Sequence, residues 1–190
     1  MSSKKKPVAL YEVKITLLNA KPAIWRRVLV PADITLGDLH RVIQIAMGWD
    51  DDHLHEFEIG KVRYGATISD IFEVGDPSLD EDSVRLNGVV MPKAKFKYWY
   101  DFGDDWKHEI RIERELDSET GRRKARCIAG AGACPPEDCG GVYGYEEMLH
   151  ILADPTHEEY GEMREWVRDD FDPDYFDLAR TDRRLASLGF

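Results

Sequence analysis

The sequence predicts an α+β fold: a mostly antiparallel sheet, open or rolled, with an N-terminal helix and a helical C-terminal third. Three observations predict it. Segments that alternate apolar and polar residues dominate before residue 130, helical spacings dominate after it, and the regular strand-helix-strand alternation of a doubly wound sheet is missing. Tyr11, Val13, Ile15 and Leu17 alternate with Glu12, Lys14 and Thr16, a period of two that turns one face of a strand to a core. Asn19 to Pro22 supplies a turn, and Ile24 to Val30 returns as a second strand closed by Pro31. Thr35 with Asp38 is a variant capping box. Behind it Leu36, Leu39, Ile43, Ala46 and Met47 recur at helical spacing until Gly48.

His53 to Ile59 alternates again and predicts a third strand with His53, His55, Phe57 and Ile59 on one face. Glycines and prolines break residues 60 to 92 into loops with one or two short elements. Phe96 to Phe102 and Trp106 to Ile112 predict a hairpin about a three-residue loop, Gly103 to Asp105. This loop pairs Phe102 with Trp106 and Tyr100 with His108. Asp117 to Gly121 is a polar turn, and Arg122 to Ile128 a returning strand. Gly130 to Gly144 reads as an irregular loop, followed by a short helix marked by Tyr145, Met148, Leu149 and Leu152 and stopped at Asp154-Pro155. Thr156 with Glu159 predicts a capping box for a helix burying Tyr160, Met163, Trp166 and Val167. Pro173 is placed for the first turn of a last helix with Phe176, Ala179 and Leu185. Residues 1–7, with three lysines, read as a basic disordered tail and residues 8–190 as one domain.

The chain of 190 residues is long enough to bury a sizeable core, and 43% hydrophobic with 33% charged residues is an ordinary globular balance. No apolar run approaches the roughly 20 residues a spanning helix needs, so no membrane is expected. No apolar signal core follows the lysines, so a cytoplasmic location is expected. Three cysteines are an odd and sparse number, which predicts reduced thiols. Asp plus Glu outnumber Lys plus Arg by 37 to 26, a net charge of −11 that sets nucleic acid at a disadvantage as a partner. Eleven of these acids, against five arginines, fall in residues 154 to 190, as expected of solvated helix faces.

Several motifs are distinctive in their order. They are Tyr11-Glu-Val-Lys, Pro22-Ala-Ile-Trp-Arg-Arg, Thr35-Leu-Gly-Asp-Leu-His, Ile43-Gln-Ile-Ala-Met-Gly-Trp49 and His53-Leu-His-Glu-Phe57. Later come Tyr98-Trp-Tyr-Asp-Phe-Gly-Asp-Asp-Trp106-Lys-His108, Cys134-Pro-Pro-Glu-Asp-Cys-Gly-Gly141 with Gly144-Tyr145, and Phe171-Asp-Pro-Asp-Tyr-Phe-Asp177. Together, from about residue 8 to about 180, the chain resembles the plasmid pRiA4b open-reading-frame-three-like family. The resemblance implies an α/β roll and no assigned activity. Some family members carry transposon-passenger or resolvase-like labels, hence a link to mobile elements. The resolvase label finds no support in this chain. A serine recombinase needs a nucleophilic serine among arginines and a basic DNA-binding helix, whereas this chain ends acidic.

The sharpest candidate chemistry is a divalent metal such as zinc. Imidazoles two apart on a strand, His53 and His55, would project from one face about 6 to 7 Å apart at their stems. Further ligands could come from His40, Asp101, Asp104 or His108, since nitrogen and carboxylate suit zinc or another transition metal. Against this, the same histidines can hydrogen-bond within a sheet, and Asp104 and Asp105 can shape a turn. Trp25, Arg26 and Arg27 join an aromatic to two guanidinium groups that could bind carboxylates or phosphates. Strand alternation sends the two arginines to opposite faces, and the chain's own carboxylates compete for them. Trp49, Tyr98, Trp99, Tyr100 and Trp106 either line a ligand cleft or fill a core. Cys134 is a poor nucleophile, since Glu137 and Asp138 beside it suppress the thiolate. Gly140 to Gly144 lacks a P-loop lysine and reads as a helix-entry loop.

With no complete catalytic constellation, the sequence favours a binding or interaction domain for a protein or small-molecule partner, without catalysis and with no cofactor expected. The first alternative is a metal-dependent hydrolase with His53 and His55 as ligands and Asp101 or Asp104 as ligand or base. The second is a nucleic-acid-binding accessory protein.

Overall fold

β1 (Val8–Leu17) and β2 (Trp25–Pro31) pair antiparallel, and Tyr11, Val13, Ile15 and Leu17 are all buried, as the alternation requires. The computed structural model describes residues 8–65, 79–118, 123–167 and 171–190. The basic tail of residues 1–7 lies outside them, as does most of the turn expected over 117–121. α1 (Leu36–Met47) carries the capping box: Thr35 Oγ1 accepts from Asp38 N at 3.0 Å, and Asp38 Oδ2 accepts from Thr35 N at 3.2 Å. Gly48, at φ 115, ends the helix in the left-handed region, where its N–H reaches Gln44 O. Leu36, Leu39, Val42 and Ile43 on α1 are completely buried, each contributing about 1.5–3 kcal/mol. Packing, more than propensity, holds α1 in place.

β3 (His55–Ile59), β4 (Val62–Gly65), β5 (Leu79–Asp80), a 3-10 turn at Glu81–Ser83 and the short α2 (Leu86–Val89) follow. β6 (Lys95–Tyr100), β7 (Trp106–Ser118) and β8 (Arg126–Ala131) complete one eight-stranded sheet in the order β5-β4-β3-β6-β7-β1-β2-β8. Every pairing is antiparallel except β4 with β5. Ladder irregularities at Glu12/Val13, between β1 and β7, and at Arg27/Val28, between β2 and β8, raise the local twist. α3 (Gly141–Ala153), α4 (Tyr160–Val167) and α5 (Leu178–Ala186) form the helical C-terminal third. Among the described residues no helix is long and apolar enough to cross a membrane.

Several elements depart from the sequence expectation, each for a local reason. β3 begins at His55 instead of His53, because its partner β6 ends at Tyr100 and leaves His53 nothing to pair with. The hairpin loop spans five residues, not three. Asp101 and Asp105 both adopt left-handed φ (54° and 59°), Asp105 N donates to Asp101 O, and Asp101 Oδ1 accepts from Gly103 N. Tyr98 therefore faces His108 and Tyr100 faces Trp106, while Phe102 is left exposed. The slide is two residues, so it preserves which face each side chain occupies.

The expected loop over 130–144 is shorter than its composition suggests, since β8 runs to Ala131 and α3 starts at Gly141. A Cβ at Gly141, which has φ 69, would strike the Asp104 carbonyl, so close packing on the hairpin loop accounts for this glycine. Thr156 does not cap α4. Asp154 Oδ1 instead accepts from Thr156 N and Oγ1, and Trp166 stands half exposed. α5 starts at Leu178 behind an Asp177 cap, beyond Pro173, and leaves Phe176 outside the helix.

His108 on β7 is completely enclosed by Trp49 and Tyr98, and neither ring nitrogen makes a well-formed hydrogen bond. Burial pulls its pKa from 6.5 down to about 4. The folded state thus holds His108 neutral while the unfolded chain protonates it. This contribution is complete above pH 6.5 and is lost as pH falls towards 4, amounting to roughly 3 kcal/mol. Denaturant unfolding of the wild type should lose stability over that window more steeply than His108→Phe, whereas parallel curves would contradict the burial account.

Candidate metal cleft

An open cleft of about 480 Å³ is lined by α1, the segment entering β3 and the turn at Glu81–Ser83. Its wall is built from the α1 helix outward. His40 and Gln44 lie one turn apart on the buried face of α1 and both reach the hydroxyl of Tyr98 on β6. Tyr98 Oη lies 2.7 Å from His40 Nδ1 and accepts from Gln44 Nε2 at 2.9 Å. The other nitrogen, His40 Nε2, is 2.6 Å from Asp51 Oδ1. His55, the first residue of β3, stacks on His40 with ring centroids 3.4 Å apart and planes 1° from parallel. His55 Nε2 is 2.8 and 3.0 Å from the two carboxylate oxygens of Glu81.

Glu81 reaches this position because the turn packs on the start of α1. Leu36 N donates to Val84 O, Thr35 bridges Arg85, and Asp82 sits where a Cβ on Gly37 would be. Asp51, at φ 65, is half exposed, whereas His55 and Glu81 side chains are each only 8% exposed. Burial, then the facing His55, pulls the His40 pKa down to about 3, outweighing the charge of Glu81. Burial likewise raises Asp51. The ligand atoms of His40, Asp51 and His55 lie within 4.8 Å of one another, a spacing that suits one ion, and Glu81, outside that group, contacts His55 Nε2.

A second cluster forms around His53, which also lines the cleft. His53 Nε2 is 3.2 Å from Asp138 Oδ1, 3.8 Å from Asp101 Oδ2 and 3.9 Å from Glu137 Oε2. Tyr100 Oη donates to Glu137 Oε1 at 3.0 Å and accepts from Asp52 N at 3.2 Å, while Asp50 N donates to the same Glu137 oxygen. Burial raises the Glu137 pKa.

The plasmid pRiA4b ORF-3-like protein family matches residues 9–180 of the chain. The chain belongs to that family. The uncharacterized protein y4hQ of Sinorhizobium fredii (strain NBRC 101917 / NGR234) is 41% identical over 183 residues, covering 95% of this chain and 92% of y4hQ. The crystal structure of the protein of unknown function MM3350 from Methanosarcina mazei Go1 superposes with a TM-score of 0.81 at 40% identity, covering 92% of this chain and 98% of that one. The pRiA4b fold is thus shared with a relative of solved structure at 40% identity, and the names of both relatives assign no activity.

In this pRiA4b-family chain the sequence-selected residues go to different places. His55 joins His40 in the cleft, and His53 joins Asp101 in the second cluster, so the two imidazoles expected to converge belong to different sites. Asp104 Oδ2 accepts from Gly140 N, fixing the loop before α3, and His108 lies in the core. Trp49, Tyr98, Tyr100 and Trp106 are at most 3% exposed and form the aromatic floor beneath both clusters, the two tyrosines meeting the sites through ring and hydroxyl. Arg26 is buried, donating from Nε to Ala46 O and from Nη1 to Trp25 O and Ala131 O, under the Phe176 ring. It satisfies a carbonyl of the last turn of α1. Arg27 is tied to Glu113 and Glu12, and with Lys14 it covers the Trp25 ring.

Asp51, Glu81, Glu137 and Asp138 are the residues that periodicity did not select. The signal for Asp51 was the density of Trp49-Asp-Asp-Asp-His-Leu-His55, with three carboxylates and two imidazoles in seven residues.

Cys127, Cys134 and Cys139 are free thiols. Burial pushes Cys127 up to about 11 and Cys139 to about 12, and raises Cys134 further. Glu137 and Asp138 add to this, but desolvation is the larger cause. A thiol-disulfide reagent at pH 8 should label all three slowly in native protein and promptly after denaturation. Fast native labelling would contradict the burial.

Proposed function

We propose that the cleft binds a divalent transition-metal ion, zinc being the best match, through His40 Nε2, His55 Nε2, Asp51 and Glu81. On this reading the protein acts as a metal-dependent binding protein. The observation that carries it is the gathering of His40 Nε2, His55 Nε2 and the Asp51 carboxylate within 4.8 Å of one another; the rings, parallel as they stand, turn out of their stack to aim both in-plane lone pairs at one ion. Four ionisable groups gathered in one wall are expensive to desolvate, and two imidazolium rings face to face would repel. A divalent cation neutralises both carboxylates and takes both nitrogens in the neutral form that ligation needs.

Further support comes from behind His40. A metal on Nε2 requires the proton on Nδ1, facing Tyr98 Oη. Tyr98 must then donate onward, and Gln44 Oε1 is buried with no partner. Rotation of the Gln44 amide by half a turn, which exchanges its oxygen and nitrogen, gives the chain His40 Nδ1–H to Tyr98 and Tyr98 O–H to Gln44. This is the outer support that ligating histidines ordinarily have.

Because Asp51 is half exposed, an ion here would face solvent on that side and keep a position for water. That observation favours, as a second reading, a metal-dependent hydrolase. Untagged protein freed of metal by chelator and titrated with Zn2+ in a calorimeter should bind one ion at this cleft. His55→Asn should abolish the event, and Tyr98→Phe should weaken it about 10–100-fold. Identical isotherms for wild type and His55→Asn would overturn the assignment. Zn2+-dependent release of a leaving group from an activated ester, lost in His55→Asn, would decide for the hydrolase.

A further inference from the structure

We propose that the cluster around His53, which also lines the cleft, is a second ion site, taking an oxygen-preferring divalent cation of the Mn2+ type on His53, Asp101 and Asp138, with Glu137 beside them. Two ligand atoms that share an ion at about 2.1–2.2 Å stand roughly 3.0–3.6 Å apart for octahedral or tetrahedral angles. His53 Nε2, Asp101 and Asp138 offer ligand atoms all within 4.8 Å of one another, so small closures bring these three to that spacing, and Glu137 Oε2 stands 3.9 Å from His53 Nε2. The 3.8 and 3.9 Å separations from Asp101 and Glu137 are too long for hydrogen bonds, and even a protonated His53 leaves three carboxylates with two uncompensated charges. Glu137 Oε2 is buried without a hydrogen-bond partner, although Glu137 Oε1 is fully engaged by Tyr100 and Asp50. The free oxygen is the one that faces His53.

The elements are prepared for ligation. Asp101 is 6% exposed and anchored by its other oxygen, Oδ1, to Gly103 N, which leaves Oδ2 for the ion. Asp138 is largely exposed and closes the site from the solvent side. One nitrogen with three carboxylates is a harder donor set than the two imidazoles of the first site, which is why the two sites should prefer different ions.

The test uses Mn2+, whose free-ion paramagnetic resonance signal disappears on binding. Wild type already holding Zn2+ should remove one equivalent of Mn2+ from solution. Asp101→Asn with Asp138→Asn keeps side chains that tolerate both left-handed backbones, so the fold should survive, as a thermal melt will verify. This variant should weaken Mn2+ binding at least 10-fold while Zn2+ binding at His40 and His55 is unchanged. His55→Asn, which removes the first site, should leave Mn2+ binding intact. An undiminished free Mn2+ signal in wild type, or equal uptake by the doubly substituted variant, would overturn the proposal. Mn2+ uptake that is lost only in His55→Asn would assign the ion to the first site and likewise overturn it. Mn2+ uptake of the expected pattern with no Zn2+ binding would sustain this site and sink the first.

Discussion

Burial of Trp49 sets the direction of every candidate ligand that follows it. Its indole packs against Tyr100 and Trp106, meets the edge of His108, and donates to the Pro135 carbonyl at 3.1 Å. The chain leaves α1 at Gly48, is pinned at once by this ring, and is captured again six residues later where His55 pairs with Tyr100. Between two fixed points the backbone has little freedom, so Asp51, His53 and His55 all line the cleft, Asp51 and His55 meeting His40 while His53 meets Asp101 and Asp138. The same contact with Pro135 brings the 135–139 loop alongside, and with it Glu137 and Asp138. A single buried aromatic thus couples the core to both clusters.

The aromatic floor has a second consequence. Tyr98 and Tyr100 are buried to the ring, and each spends its hydroxyl on a cluster residue, Tyr98 on His40 and Tyr100 on Glu137. Burial raises the pKa of both phenols, so they remain neutral donors and do not add charge to walls already rich in carboxylates. Polar networks of this kind, with orphaned oxygens on Gln44 and Glu137, stabilise a fold less than an apolar core of equal volume would. Cation binding gives a physical reason for keeping them. On the sheet surface Arg27, Lys95, Lys97, Lys107, Arg111 and Arg114 are each paired with an acid.

The strands and α1 were legible because their signals are local: period two in β1, β6 and β7, and a capping box before α1. The length of the hairpin loop was not legible, because it depends on two aspartates adopting left-handed backbone conformations that any counting scheme treats as strand. The candidate sites were half legible. His53, His55 and Asp101 carry alternation or turn chemistry of their own, and His40 was marked as a reserve ligand. Glu81 sits in a stretch with no periodicity and arrives through packing of its turn against Gly37, a contact forty-four residues distant in sequence. Glu137 and Asp138 lie in a proline- and glycine-rich loop whose position is set by Trp49 and Asp104. Long-range packing of this kind leaves no period to read.

The central claim is that two stacked imidazoles are a ligand pair and not a structural ornament of the core. The most direct measurement is anomalous diffraction at the zinc edge from crystals of untagged protein saturated with Zn2+. The account predicts a peak about 2.0–2.1 Å from Nε2 of both His40 and His55, with carboxylate oxygens of Asp51 and Glu81 completing the shell. A cleft without such a peak, its imidazoles still hydrogen-bonded to Asp51 and Glu81, would contradict it.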